Sequence, residues 1–250
     1  MRSYTNIFAA LLTILLFANC NTPKRVWQKE THNYKIDNSI TADTSIVNYY
    51  IPFKQKLESE MNRVIGYSDN HLTRTRIDAE SLAGNFFVDA MLEIGKSIDP
   101  NTQIAFANKF GIRADLQKGN ITVGNIFELM PFENYFTILE ISGNDLLTLI
   151  QYIAKTNGQP IAGITLEIKD GQAMNIKINK ESIDSTKTYK IITYDYLANG
   201  GDYVVGLSNP LHRNDTGILV RFGLIDYIEK LTKAGKTINT ELDGRVKNIK

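Results

Sequence analysis

Thr193–Val205 reads TYDYLANGGDYVV. It begins with the β-branched and aromatic residues of a buried strand and halts at Asn199-Gly200-Gly201-Asp202. Two readings are open. The double glycine simply turns a hairpin, or the turn presents Tyr196 and Asp202 to a ligand. The segments around it have to decide.

Working outward, TYKIITYDYL (188–197) is predicted as one strand. Before it, ITLEIK and AMNIKIN alternate about Asp170-Gly171, which signals a two-residue hairpin. GNDLLTLIQYIAKT (143–156) has helical spacing, as does ESLAGNFFVDAMLEIGKSI (80–98), whose apolar positions are Leu82, Phe86, Phe87, Ala90, Met91 and Ile94. Short strands are predicted at 63–68, 72–77 and 102–108. ITVGNIFELMPFENYFTILEIS (121–142) reads as strand, short helix, loop, strand. RFGLIDYIEKL (221–231) is a last helix and GRVKNI (244–249) a last strand. The elements lack a regular βαβ rhythm. The predicted class is therefore α+β, mixed sheets with flanking helices, rather than a doubly wound sheet.

Residues 63–250 form this domain, and a connector helix at 43–62 precedes it. Ile46, Tyr49, Tyr50, Phe53, Leu57 and Met61 supply the connector's periodicity, and Asp43 or Ser45 its cap. Pro52 argues for a first turn closer to itself. Residues 20–42 are polar and unpatterned and read as a tether, in which Val26, Trp27 and Tyr34 are candidates for a short strand. Residues 1–19 carry Arg2 and the apolar run IFAALLTILLFA (7–18), the pattern of a signal peptide. Cys20, the only cysteine, follows this run as in a bacterial lipobox, although Phe17 and Asn19 stand where Leu and a small residue are usual. The expectation is an exported bacterial lipoprotein lipidated at Cys20, on the periplasmic or cell-surface side of a membrane. The alternative is a plain signal peptide with an incidental cysteine. One cysteine allows no internal disulfide.

A net charge of +1 over 250 residues argues against a nucleic-acid polymer as partner, because phosphate chains need clustered Lys and Arg. Three histidines, His32, His71 and His212, lie apart without a second histidine at ligand spacing, so no metal site is expected in this chain. HExxH, G-x-S-x-G and phosphate-cradling motifs are absent, and no catalytic residue is assigned. A binding site is better supported. Three segments end in polar and glycine residues: IAFANKFGIRAD with Asn108, Gly111 and Arg113, LMPFENYF with Phe132 and Asn134, and YDYLANGGD with Tyr196, Asn199 and Asp202. An aromatic stacks on a flat base, Arg takes a phosphate, and Asp accepts from vicinal hydroxyls. Each has a plainer reading: Phe132 as core, Arg113 paired with Asp115, Gly200-Gly201 as a mere turn.

Together and in this order, these segments resemble the C-terminal domain of the 5′-nucleotidase family across about residues 62 to 230. The helix with Gly84, Asn85, Asp89, Ala90 and Met91 matches its "GN…DAM" pattern, while NKFGIR, PFEN and YLANGGD match its "NGGGIR", "PFGN" and "F-x-A-x-GGD" turns. The resemblance implies that a base lies between Phe132 and Tyr196, that Asp202 holds the ribose hydroxyls and that Arg113 faces phosphate. Asn108, Asn134 and Gly111 match contact positions. Lys109 and Phe110 replace two turn glycines, and Tyr196 replaces the usual Phe. Arg74 and Arg76 lie near the positions of further phosphate-facing arginines, Arg76 shifted by about one place. The family's catalytic metallophosphatase motifs are missing here. The resemblance therefore implies the recognition half of a split nucleotidase, with no cofactor in this chain. Two divalent metals are expected on a separate metallophosphatase partner. The alternative is a surface lipoprotein that binds nucleosides or nucleotides without hydrolysing them.

Overall fold

Residues 31–250 are described by a computed structural model. The signal peptide, Cys20, Val26 and Trp27 lie outside the described residues. The chain divides into two units, Met1–Tyr49 and Tyr50–Lys250. Residues 31–42 are exposed and form no strand, Tyr34 included. Helix α1 runs Thr44–Met61 straight through Pro52, so the expected start nearer Pro52 does not hold. Asp43, not Ser45, caps it. Its carboxylate accepts the Ser45 and Ile46 amides at 2.8 and 3.4 Å, which anchors the first turn upstream of the proline. Among the described residues no helix is long and apolar enough to cross a membrane.

The second unit is α+β. Its elements follow the order β1 (Val64–Ser68), α2 (Leu82–Ile98), β2 (Ile104–Phe106), β3 (Gly119–Thr122), α3 (Val123–Leu129), β4 (Tyr135–Ser142) and α4 (Gly143–Lys155). Then come β5 (Ile161–Ala162), β6 (Ile164–Lys169), β7 (Gln172–Ile178), β8 (Glu181–Ser182), β9 (Thr188–Tyr194), α5 (Asp195–Ala198), β10 (His212–Leu219), α6 (Val220–Lys233) and β11 (Val246–Asn248). The main sheet has the order β10-β4-β9-β2-β5, in which only β9 and β2 run parallel. A second sheet, β11-β6-β7-β8, contains the expected hairpin. Its turn residues Asp170 and Gly171 have φ of 50° and 73°, which gives a two-residue loop the twist that antiparallel strands need. β1 and β3 pair separately.

Ile104, Ala105 and Phe106 of β2 are all fully buried, as expected of an interior strand covered on both faces. Helix α2 packs over β2, β5 and β9, while α4 packs on β4, β7 and β9. α2 starts where Ser81 accepts the Gly84 amide, and Phe86, Phe87, Ala90 and Met91 put its apolar face inside. A second tie fastens the chain's last segment to this helix start. Buried Glu80 accepts the amide of Val246 at 2.7 Å and that of Gly244 at 3.3 Å.

Two further expectations need correction, and one strand has no counterpart in the sequence pattern. The segment 72–77 forms only isolated bridges, Leu72 to Leu116 and Ile77 to Glu80, because no neighbouring strand lies along it. The strand predicted over 188–197 ends at Tyr194, and Tyr196 sits on α5. Asp195 makes the break: its Oδ1 accepts the amides of Tyr196 at 2.8 Å and Tyr135 at 3.1 Å. β10, HRNDTGIL, is the strand without such a pattern. It is an exposed edge strand whose polar face lacks the apolar alternation of its neighbours.

Candidate functional site

The polar ends of the three segments meet. Asn108, Gly111, Arg113, Phe132, Asn134, Tyr196 and Asp202 line one cavity of about 280 Å³, together with Phe110 and Tyr194. That volume lies at the lower edge of the range for small-molecule sites, about 300–1,000 Å³. The first contributor is the loop after β2, where a 3₁₀ turn spans Lys109–Gly111. The second is the Pro131–Asn134 turn between α3 and β4, and the third is the α5 turn.

Two glycines carry separate duties in the third segment. Gly200 has φ 86°, a left-handed conformation that favours glycine. Gly201 makes room instead. A Cβ there would lie 2.5 Å from the Tyr196 ring, so the ring lies against bare backbone. Asp202 follows at φ 53° and Tyr203 at φ 56°. The Asp202 carboxylate is held on both sides. Tyr196 Oη donates to Oδ1 at 2.9 Å, and Asn108 Nδ2 donates to Oδ2. Tyr194, 1% exposed, donates its hydroxyl to Asn108 Oδ1, which orients the amide so that its NH₂ faces Asp202. Burial raises the Tyr194 phenol well above its ordinary value, so it stays a donor. Gly111 belongs to the same arrangement, because a Cβ there would come within 2.4 Å of Asn108 Oδ1 and 2.7 Å of the Tyr194 hydroxyl.

The aromatic walls are open. Phe132 is 39% exposed, Tyr196 45% and Phe110 70%. Phe132 is therefore not a core residue. The Arg113 guanidinium lies 5.7 Å from the Phe132 ring centroid. Arg113 does not pair with Asp115, whose carboxylate is taken by Arg74 Nε at 3.1 Å and His71 Nε2 at 3.2 Å. Arg113 makes no ion pair with any described residue, which leaves its charge available at the cavity mouth. The Phe132 turn is held by Arg221 of α6. This cation donates to the Phe132 carbonyl at 3.2 Å and to Glu133 at 3.0 Å, and its guanidinium lies 4.9 Å from the Phe127 centroid.

Arg74 and Arg76 are not part of this cavity. Arg74 is spent on Asp115. Arg76 donates to the Asn157 carbonyl, and burial lowers its pKa. Lys109 also turns away, to the Thr156 carbonyl at 2.7 Å. The sequence marks Phe110 only as the replacement of a turn glycine, and it gives no role to Tyr194 or Arg221. Phe110 alone left a signal, an apolar residue amid a polar turn. Among the described residues no three His, Cys, Asp or Glu side chains converge to hold a metal ion. The donor set here does not fit a metal centre. It suits a flat ring, a polyhydroxyl group and an anion.

The profile described as "5'-nucleotidase, C-terminal domain" matches residues 64–207. The trifunctional nucleotide phosphoesterase protein YfkN of Bacillus subtilis (strain 168) is 30% identical over 219 residues, covering 79% of this chain and 14% of that protein. Protein UshA of Escherichia coli (strain K12) is 24% identical over 197 residues, 76% of this chain and 35% of that protein. Among solved structures, the 5'-nucleotidase precursor from Thermus thermophilus superposes with a TM-score of 0.67 at 26% identity, covering 83% of this chain and 43% of the other. The chain thus spans less than half the length of each of these relatives.

Proposed function

The chain belongs to the 5′-nucleotidase C-terminal domain family, and on that premise we propose that it is the nucleotide-recognition half of a split 5′-nucleotidase. A base stacks between Phe132 and Tyr196, Asp202 accepts from the ribose hydroxyls, and Arg113 meets the phosphate. A separate metallophosphatase chain supplies two divalent metals and the hydrolytic step. This chain's contribution is orientation, which alone lowers a barrier substantially when the reacting groups are held in line. The cell-surface or periplasmic lipid anchor at Cys20 belongs to the same reading.

One observation carries it. Aromatic rings, a carboxylate and a guanidinium from three distant segments line a single cavity of about 280 Å³. A hairpin turn alone would leave Tyr196 and Asp202 unrelated, and Phe132 and Arg113 without a reason to be exposed.

The test has two stages. Calorimetric titration of the full chain should show binding of a nucleoside monophosphate and its nucleoside. Arg113→Ala should weaken the monophosphate about tenfold or more and leave the nucleoside unchanged, since a charge-assisted bond is worth about 1.5–3 kcal/mol. Mixing with metallophosphatase chains from the same source, in divalent metal, should then raise phosphate release. Equal affinity for both ligands, indifference to Arg113→Ala and no activating partner would leave a nucleoside-binding surface lipoprotein instead.

A further inference from the structure

We propose that the Tyr196 hydroxyl is a positioning group that makes the aromatic platform and the Asp202 carboxylate one rigid unit, and so sets selectivity for a vicinal diol; this rests on the nucleotide-recognition reading above. The residue's ring explains stacking, but phenylalanine would stack equally well. The hydroxyl needs its own account. It donates to Asp202 Oδ1 at 2.9 Å and accepts the Asp202 amide at 3.3 Å. A single oxygen therefore ties the ring to both the backbone and the carboxylate of a residue six positions on.

The surroundings make that tie rigid. The ring lies against Gly201, where even a Cβ would not fit. Asp202 occupies the left-handed region, which fixes the direction in which its side chain leaves the backbone. On the opposite side the buried Tyr194–Asn108 pair supplies the second donor, to Oδ2. Each carboxylate oxygen thus receives one protein donor. A carboxylate offers about four lone-pair sites, so two remain, one on each oxygen. Two free acceptor sites on two oxygens are what a cis-diol requires. A deoxy sugar would leave one of them unanswered at a half-buried carboxylate, which should weaken its binding several-fold. Without the Tyr196 hydroxyl the carboxylate gains a free site and loses its orientation, so both affinity and discrimination should fall. The Asp202 bond also pushes the Tyr196 phenol above its ordinary pKa, so the donor proton persists through the neutral range.

The experiment compares three ligands on the full chain by calorimetry: the ribonucleoside that binds the wild type most tightly, its 2′-deoxy form and its free base. Tyr196→Phe should bind the free base as the wild type does. It should bind the ribonucleoside about fivefold more weakly and lose most of the ribo-to-deoxy preference. Asp202→Asn, which tolerates the left-handed backbone, gives the ratio expected when the carboxylate is gone. Thermal melting checks that both variants fold. An unchanged ribo-to-deoxy ratio in Tyr196→Phe overturns the proposal while leaving nucleotide recognition intact. Tighter ribonucleoside binding by Tyr196→Phe also overturns it, since the hydroxyl would then compete with the diol. Failure of every ribonucleoside to bind the wild type overturns nucleotide recognition itself, and this inference with it.

Discussion

Gly200 and Gly201 stand side by side and fail differently when changed. Gly200→Ala puts a Cβ on a left-handed residue with open space around it, so the cost is backbone strain, about 1–2 kcal/mol. It should lower the melting temperature and spare the cavity. Gly201→Ala has an ordinary backbone but strikes the Tyr196 ring at 2.5 Å. The half-exposed ring is forced outward and its two bonds to Asp202 break; these bonds are exposed, so stability should change little while nucleoside affinity drops several-fold. Melting and titration of the two variants together separate the cases. An identical profile for both would contradict the division of labour. At this scale the cavity-lining residues Phe132, Tyr196, Asp202 and Arg113 were legible because their types and turn contexts announce them. Tyr194 was not: its hydroxyl acts through Asn108, 86 residues away, and nothing local to a buried strand tyrosine reveals its partner. Arg74 and Arg76 misled for the opposite reason. Their charge was visible, but not the Asp115 carboxylate and Asn157 carbonyl that absorb it.

Elements with their own caps and periodicity were readable in advance. Ser81 with the apolar face of α2, and Asp170-Gly171 between alternating strands, are local signals with local causes. β10 and α5 were hidden because distant partners define them, β4 for the first and the Tyr135 amide for the second. Helix α6 shows how an element acts at a distance. Its Arg221 reaches the Phe132 carbonyl and Glu133 across nearly ninety positions of sequence. Arg221→Leu keeps much of the buried stem but removes both bonds. The expected loss is about 1–3 kcal/mol of stability, with weaker base binding as the Phe132 turn loosens. Chemical denaturation should register the first and titration with a free base the second. Unaltered base affinity in a folded Arg221→Leu protein would free the turn from α6.

For the whole molecule, Arg245 joins α2 to the closing segment. It donates to Asp89 at 2.5 and 3.0 Å and to Asp243 at 2.8 Å. Burial alone would raise the Asp243 pKa, but the bonds from Arg245 outweigh it and hold the carboxyl below its ordinary 3.8. A depressed carboxyl contributes stability above its unfolded value and loses it as pH falls through the folded one. The contribution should therefore be constant in the neutral range and disappear below about pH 4. Arg245→Met should cost about 1–2 kcal/mol at pH 7, discounted because both carboxylates are partly exposed. It should also flatten the acid limb of the stability curve, as urea melts at several pH values would show. An acid limb unchanged in slope would assign it to other carboxylates.

The bond between Glu80 and the Val246 amide spans 166 residues. As the chain emerges, from the ribosome or across a membrane, the start of α2 appears long before the backbone that answers its carboxylate. Until then only the Asn85 side-chain amide, at 3.3 Å, answers Glu80, and burying a carboxylate with so little compensation costs several kcal/mol. The first part of the domain should therefore not seal fully ahead of the last. Folding should wait for the finished strand β11 and proceed as one late, slow event governed by long-range contacts, so that a half-made chain is open rather than half folded.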